Sequence, residues 1–270
     1  MSKTTAEKRA AFRALHQQGC FVLPNPWDVG SARLLQHMGF AALASTSSGF
    51  AWSTGRPDYG VTRDDVLQHL AQLAAAVDLP INADFESGFA ASPEGVASNV
   101  ALAVDTGIAG LSIEDTDFDH PGELYDLDFA VERIRAARAA IDQSGHDVVL
   151  VARSEHLLHN GTALTAAIDK LIAFAEAGAD CLYAPGVVEK DDIAAIVRAV
   201  APKPVNVLVM RPGMRVAELA DLGVRRISVG GALARVAWAA VETAAQDMLD
   251  GSFAGLAAAP SRKLNDVFGG

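Results

Sequence analysis

Asp84 and Glu86 follow one short apolar run of this chain, Glu114 and Asp115 follow the next, and Arg153 closes the one after that. Carboxylates gathered at the ends of neighbouring strands repel one another unless a counter-charge lies between them. A hard dication with oxygen ligands supplies that charge. Mg²⁺ uses one or two carboxylates, retained waters and substrate oxygens, and Mn²⁺ suits the same donors. Asp84, Glu86 and Glu114 are therefore candidate metal ligands. The plainer reading is that strand-end acids cap the following helices or pair with arginines such as Arg153.

Arg153 can clamp a carboxylate or phosphonate through two parallel N–H groups, or it can form an ion pair with Glu114 or Glu155. Ser45-Thr46-Ser47-Ser48-Gly49 follows another apolar run. Small residues there let backbone N–H groups approach an anion, and the hydroxyls add donors; an ordinary polar turn reads the same way. Asn206 ends a later run, and Gly230-Gly231 precedes the last long helical pattern. The histidines are scattered. His16, His37 and His69 fall in helical patterns and are expected at the surface, and His156 and His159 have no metal-ligand spacing. His120 lies in the stretch 116–127, long enough for a lid, which also offers Glu123 and Tyr125 as proton donors.

The elements that must position these groups alternate strictly. Apolar runs at 20–23, 41–45, 80–84, 110–114, 148–152, 181–184, 204–208 and 226–229 read as buried strands. Helical patterns lie between and after them at 30–38, 63–76, 92–106, 129–143, 163–177, 191–200, 216–221 and 232–249. Ser92 before Pro93 and Glu94 is a helix start, Thr62 stands three before Asp65 as a capping-box variant, and Gly39, Gly107, Gly145, Gly178 and Gly223 stop helices. Eight such units predict a parallel (β/α)₈ TIM-type barrel. An open doubly wound sheet would need a glycine-rich dinucleotide loop after the first strand, and there is none. In a barrel, function sits at the carboxyl ends of the strands, and those are the ends that carry the acids, the serines and Arg153.

The chain's 270 residues match one barrel of the usual ~250, and a single domain over 1–270 with a helical extension from about 232 is expected. A net charge of −11 without a basic stripe argues against nucleic acid and anionic membranes as partners. No apolar stretch is long enough for a membrane span, and the first ten residues lack the apolar core of a secretory signal. Cys20 and Cys181 lie inside apolar runs and read as reduced thiols of a cytoplasmic protein.

Asn25-Pro26-Trp27-Asp28 with Ser31-Ala32-Arg33, Ser45 to Gly49, Gly55-Arg56-Pro57-Asp58, Asp84-Phe85-Glu86-Ser87-Gly88-Phe89, Ile113-Glu114-Asp115, Ala152-Arg153 and Glu176-Ala177-Gly178-Ala179 occur in that order. With these stretches the chain resembles the isocitrate lyase/phosphoenolpyruvate mutase superfamily. The resemblance implies Mg²⁺ held directly or through water near Asp84, Glu86 and Glu114. It also implies a 2-oxo acid or its enolate gripped by Arg153, Asp58 and the backbone of Ser45, Thr46 and Ser47; Asp84 and Asn206, at strand ends, are further substrate-binding candidates. It implies a homodimer or homotetramer in which the last helix is exchanged between subunits. One departure is the loop 115–128, which has no cysteine or lysine where the similar lyases carry a Lys-Lys/Arg-Cys-Gly-His lid. The expectation is therefore a Mg²⁺-dependent lyase that cleaves a C–C bond of, or decarboxylates, a small 2-oxo carboxylate through a metal-stabilised enolate. Asp58, Arg153, Glu114, His120 and Glu123 are its catalytic candidates. C–P mutase or hydrolase chemistry on phosphonopyruvate or phosphoenolpyruvate is the alternative, and a non-catalytic oxo-acid-binding barrel is the reading from another class.

Overall fold

A computed structural model describes residues 2–120, 122–159, 163–256 and 261–269. In chain order its elements are α1 (Thr5–Leu15), β1 (Phe21–Leu23), α2 (Val29–His37), β2 (Leu43–Ala44), α3 (Ser47–Ser53), α4 (Arg63–Ala76), β3 (Ile81–Asp84), α5 (Pro93–Asp105), β4 (Gly110–Glu114) and α6 (Leu127–Ser144). They continue with β5 (Val149–Arg153), α7 (His156–His159), α8 (Leu164–Glu176), β6 (Cys181–Tyr183), α9 (Lys190–Val200), β7 (Val205–Leu208), α10 (Val216–Asp221), β8 (Arg226–Ser228), α11 (Ala232–Leu249) and α12 (Ser261–Phe268). The eight strands are parallel in the order β1-β8-β7-β6-β5-β4-β3-β2. This is the expected (β/α)₈ barrel.

The barrel closes between β1 and β2, where the ladder is thin. Ala44 N–H donates to Pro24 O at 3.1 Å, and the Asn25 side-chain amide donates to Ser45 O at 2.9 Å. Pro24 and Pro26 have no N–H, so this seam cannot run as a continuous ladder. Asn25 Oδ1 also accepts from the N–H groups of Val229 and Gly230 at 2.9 Å. One asparagine thus ties the carboxyl ends of β8 and β2 to the end of β1.

Strand alternation divides the apolar residues into two cores. One lies between strands and helices. The other fills the barrel with Phe21, Leu23, Val149, Val151, Cys181 and Tyr183. Helix α1 plugs the amino-terminal mouth, with Phe12 fully buried and so close to Gly110 that a Cβ there would stand 2.6 Å from the ring. Its start carries a capping box formed by Thr4 and Glu7, a signal present in the sequence but outside the repeating strand–helix pattern.

Two of the three helical histidines depart from the surface expectation. His37 is exposed, whereas His16 and His69 are buried. His16 packs edge-on between Phe12 and Phe21. His69 stacks on Phe50 with ring centroids 3.9 Å apart, and burial pushes its pKa down to about 4. Both rings fill space as neutral side chains. Cys20 is half-buried, Cys181 buried, and both are free thiols.

Candidate active site

Asp84 points into the barrel from the last position of β3, while Glu86 sits just beyond it in a left-handed conformation with φ 48°. Such a φ is uncommon outside glycine and persists only where the surroundings hold it. The loop 85–91 is held from beneath. The buried guanidinium of Arg133 donates to the carbonyls of Ser87, Ala90 and Ala91, and the Asn99 amide donates to Gly88 O at 2.9 Å and Phe89 O at 3.1 Å. Tyr59 (φ 59°) and Phe89 (φ 54°) share the left-handed conformation, and with Glu86 they line one side pocket of 330 Å³. Backbone strain of this kind clusters at functional sites.

Arg153 is the electrostatic centre. It lies 3.1 Å from Glu114 Oε2, 3.5 Å from Asp84 Oδ1, and pairs through Nε with Glu155. Its guanidinium also faces the Tyr183 ring at 5.4 Å. Glu114 points inward, and its other oxygen accepts from the Tyr59 hydroxyl at 2.9 Å. Asp115, one residue on, points the opposite way. It accepts from Lys170 Nζ at 2.6 Å and from the Glu155 N–H at 2.7 Å, so it fixes the wall rather than facing the cavity. Asp84 Oδ2 accepts from both the N–H (2.9 Å) and the hydroxyl (2.8 Å) of Ser47, and Asp84 N–H donates to Ser45 Oγ at 2.8 Å.

One guanidinium does not neutralise this many acids. Burial, then the charges of Asp84 and Glu114, push the Glu86 carboxyl up to about 9. Among the described residues its Oε1 is buried without a hydrogen-bond partner. Glu114 is also raised, by burial first, with Arg153 opposing. The Asp58 side chain meets solvent at the rim, yet the surrounding protein and the Asp84 charge hold its carboxyl above the usual range. The acids hold Arg153 firmly protonated in spite of its burial.

A cavity of 290 Å³ opens at the carboxyl ends of the strands, lined by Ser45, Thr46, Ser47, Asp58, Asp84, Arg153 and Asn206 among others. Glu114 reaches it through its contacts with Arg153 and Tyr59, and Glu86 opens on the adjoining side pocket that shares Tyr59. His120 and Glu123 line neither cavity. They sit in the loop after β4, where His120 faces Asp117 at 3.3 Å and Glu123 N–H donates to His120 O at 3.0 Å. Tyr125 is buried in the base of that loop, with its hydroxyl accepting from Phe118 N–H at 2.9 Å. Tyr59 and Arg226 are site residues that the sequence did not single out, whereas Glu155 was expected only as an ion-pair partner of Arg153, the contact it makes.

The model of the phosphoenolpyruvate phosphomutase family matches residues 12–249. The chain belongs to the isocitrate lyase/phosphoenolpyruvate mutase superfamily. It is similar to the crystal structure of a candidate lyase/mutase from Burkholderia cenocepacia J2315, with 47% identity, TM-score 0.94 and 98% of each chain covered. It is 34% identical to 2-methylisocitrate lyase of Escherichia coli (strain K12), over 66% of this chain and 62% of that enzyme. A structure of oxaloacetate acetylhydrolase with the product oxalate aligns with TM-score 0.87 and 28% identity, covering 98% of this chain and 94% of that one. This superfamily comprises lyases and mutases that are generally Mg²⁺-dependent.

The residues present suit such an ion. Among the described residues no group of three or more acidic, imidazole or thiol side chains is placed to hold a metal ion without further ligands or movement. Mg²⁺ does not require a complete cage, since waters and substrate oxygens complete its octahedron. The Glu86 carboxyl, raised by burial and by its acidic neighbours and with Oε1 unpartnered among the described residues, lies near Asp84 and Glu114, and carboxylates of this kind are the donors that Mg²⁺ takes.

Proposed function

We propose that this protein is a Mg²⁺-dependent lyase that breaks a carbon–carbon bond of a small 2-oxo carboxylate, by cleavage or decarboxylation, through an enolate. The observation that carries this reading is the surplus of carboxylate around Arg153, with Glu86 left unpartnered. Asp84, Glu86 and Glu114 are the residues that would hold the ion, which when bound supplies Lewis-acid stabilisation of charge developing on the 2-oxo oxygen.

The chain's own groups do the rest. Arg153 and the Ser45–Thr46–Ser47 turn hold the substrate's anionic end, fixing the angle of the bond to be broken. The Ser47 N–H is engaged by Asp84 in this structure, so a substrate carboxylate arriving there releases Asp84 from that bond. The electron pair of the cleaved bond enters the enolate, and a proton then adds to the carbon that lost its substituent. Asp58, at the rim of the cavity with a raised carboxyl, is placed to hold that proton.

The test is product formation followed by ¹H and ³¹P NMR with Mg²⁺, against oxaloacetate, 2-methylisocitrate, isocitrate, phosphonopyruvate and phosphoenolpyruvate. We expect one C–C substrate to be consumed, with turnover lost in EDTA and reduced on the order of a hundredfold or more in Glu114→Gln. Turnover only of a phosphonate would replace the lyase reading with C–P chemistry. Metal-dependent binding with no product would leave an oxo-acid-binding barrel.

Helix α11 supports the expected self-association. Among its 18 residues Ala234 is the buried one, and Val236, Trp238, Val241 and Leu249 are exposed at 68%, 48%, 59% and 82%. At the helical period Trp238, Val241 and Leu249 share one side of α11 and Val236 lies opposite, and exposed apolar side chains grouped in this way support a protein–protein contact on the Trp238 side. A homodimer or homotetramer built on this face, with the helix exchanged between subunits, is the assembly we propose. Sedimentation velocity on Trp238→Glu/Val241→Glu should show a smaller species than the parent protein. An unchanged sedimentation coefficient would remove α11 from the interface.

A further inference from the structure

Helix α8 packs on β5 and β6 and turns Ala167, Leu171 and Phe174 inward, all buried. Lys170 falls on that same face at the helical period, at a position an apolar residue would usually fill. Its side chain is 13% exposed and pairs with the fully buried Asp115 carboxylate at 2.6 Å. The ammonium also donates to Tyr125 O at 3.0 Å, and Tyr125 N–H donates to Asp115 O at 2.9 Å, so Lys170 sits in a fixed frame of two linked acceptors. Among the described residues no other cation pairs with Asp115. Lys170 lines neither the cavity nor the side pocket.

What Asp115 holds is the end of β5. Its N–H donates to Arg153 O at 3.2 Å, and its Oδ1 accepts from Glu155 N–H at 2.7 Å. Between them, Ser154 N–H donates to Tyr183 O at 2.8 Å. Three bonds therefore fix the chain from Arg153 to Glu155, just where the strand ends. They set the direction in which the Glu155 side chain leaves, and its Oε1 accepts from Arg153 Nε. A buried carboxylate keeps such bonds only while its charge is compensated. Lys170 supplies that compensation from behind the wall of the site.

We propose that Lys170 is a positioning residue for the Arg153 clamp, aligning the guanidinium through Asp115 and Glu155 without touching substrate. This rests on the lyase reading above, in which Arg153 grips the substrate's anionic end. Without the ammonium, Asp115 is left buried and uncompensated, so it turns toward water and releases the Glu155 N–H. Arg153 then loses the aim of one of the three carboxylates that orient it. Its charge remains, but the planar fork no longer meets two substrate oxygens at once.

Two measurements on Lys170→Met separate positioning from stability. Amide exchange followed by NMR needs no ligand. The Glu155 N–H should exchange about tenfold faster or more than in the parent, with the amides of β4 and β5 changed far less. Calorimetric titration of oxalate in Mg²⁺ then reads the clamp. We expect its affinity to fall roughly 10- to 100-fold, as when a group that orients a ligand-binding residue is lost, and Lys170→Arg should recover part of the loss. In a Glu155→Ala background the same substitution should cost no more than about threefold further, because its route to Arg153 is already cut. Lys170→Gln, which keeps a donor for Tyr125 O, stands in if Lys170→Met melts early. Exchange accelerated evenly across the barrel, or oxalate losses of Lys170→Met and Glu155→Ala that multiply, would make Lys170 a strut and overturn the proposal. Oxalate bound equally by parent and Lys170→Met overturns it while leaving the lyase reading intact. A parent protein that does not bind oxalate removes both.

Discussion

Replacing Arg153 with methionine should abolish measurable turnover and destabilise the barrel at once, and replacing it with lysine should separate the two effects. The guanidinium lies between Glu114, Asp84 and Glu155, with the first and last of these side chains 2% exposed. Removing one partner of a buried ion pair costs about 3–5 kcal/mol, because the remaining charge is left unpaired. Arg153→Met should therefore shift the denaturation midpoint strongly downward. Lysine retains the charge but not the planar fork that meets two acceptors at once. Arg153→Lys should regain much of the stability yet keep kcat/KM on the order of a thousandfold or more below the parent, since both the substrate's anionic end and the acid cluster lose their alignment. Chemical denaturation and steady-state kinetics on the two variants check this. A lysine variant within about tenfold of the parent in kcat/KM would mean that charge alone is used, and the clamp assigned to Arg153 would be wrong.

The barrel was legible because its signals are local. Buried parallel strands are short apolar runs, and the glycines at 39, 107, 145, 178 and 223 each adopt the positive φ that ends a helix. Strand 41–45 shrank to Leu43–Ala44 because its neighbour at the seam is the Pro24-Asn25-Pro26 segment, an effect of pairing rather than of the strand's own sequence. At the site, the acids and Arg153 stood out as polar groups at the ends of apolar runs. Alternation alone separates Glu114, facing inward, from Asp115, turned to Lys170. The same rule places Arg225 outside and Arg226 inside the barrel, although a charged residue at the bottom of a strand reads more readily as solvent-facing. Tyr59 carried no such signal. Its approach to Glu114 depends on a left-handed backbone at the rim and on a residue 55 positions away, which no periodicity reports.

The metal-free protein should lose stability steadily as pH rises, and Glu86 should account for most of that slope. Its carboxyl moves from an ordinary 4.5 to about 9 on folding, chiefly through burial and then through Asp84 and Glu114. Between those limits the folded chain holds a proton that the unfolded chain has released, so the unfolding free energy falls with pH. The contribution is fully present below about 4.5 and is lost as pH rises through about 9. Each pH unit is worth at most about 1.4 kcal/mol, an upper bound because a carboxylate at a cavity wall relaxes and hydrates when it ionises. Glu86→Gln, which keeps the shape and cannot ionise, should flatten the curve and raise the melting temperature relative to the parent most at pH 8.5 and least near pH 5. A dication replaces the same proton, so the rise in melting temperature on adding Mg²⁺ to the parent should be larger at pH 8.5 than at pH 6, and reduced in Glu86→Gln. Thermal scans of both proteins across that range, with Mg²⁺ and with EDTA, need no substrate. Parallel pH curves for parent and variant would show that Glu86 is already compensated in the folded chain, and the donor set would then have no missing charge for an ion to supply.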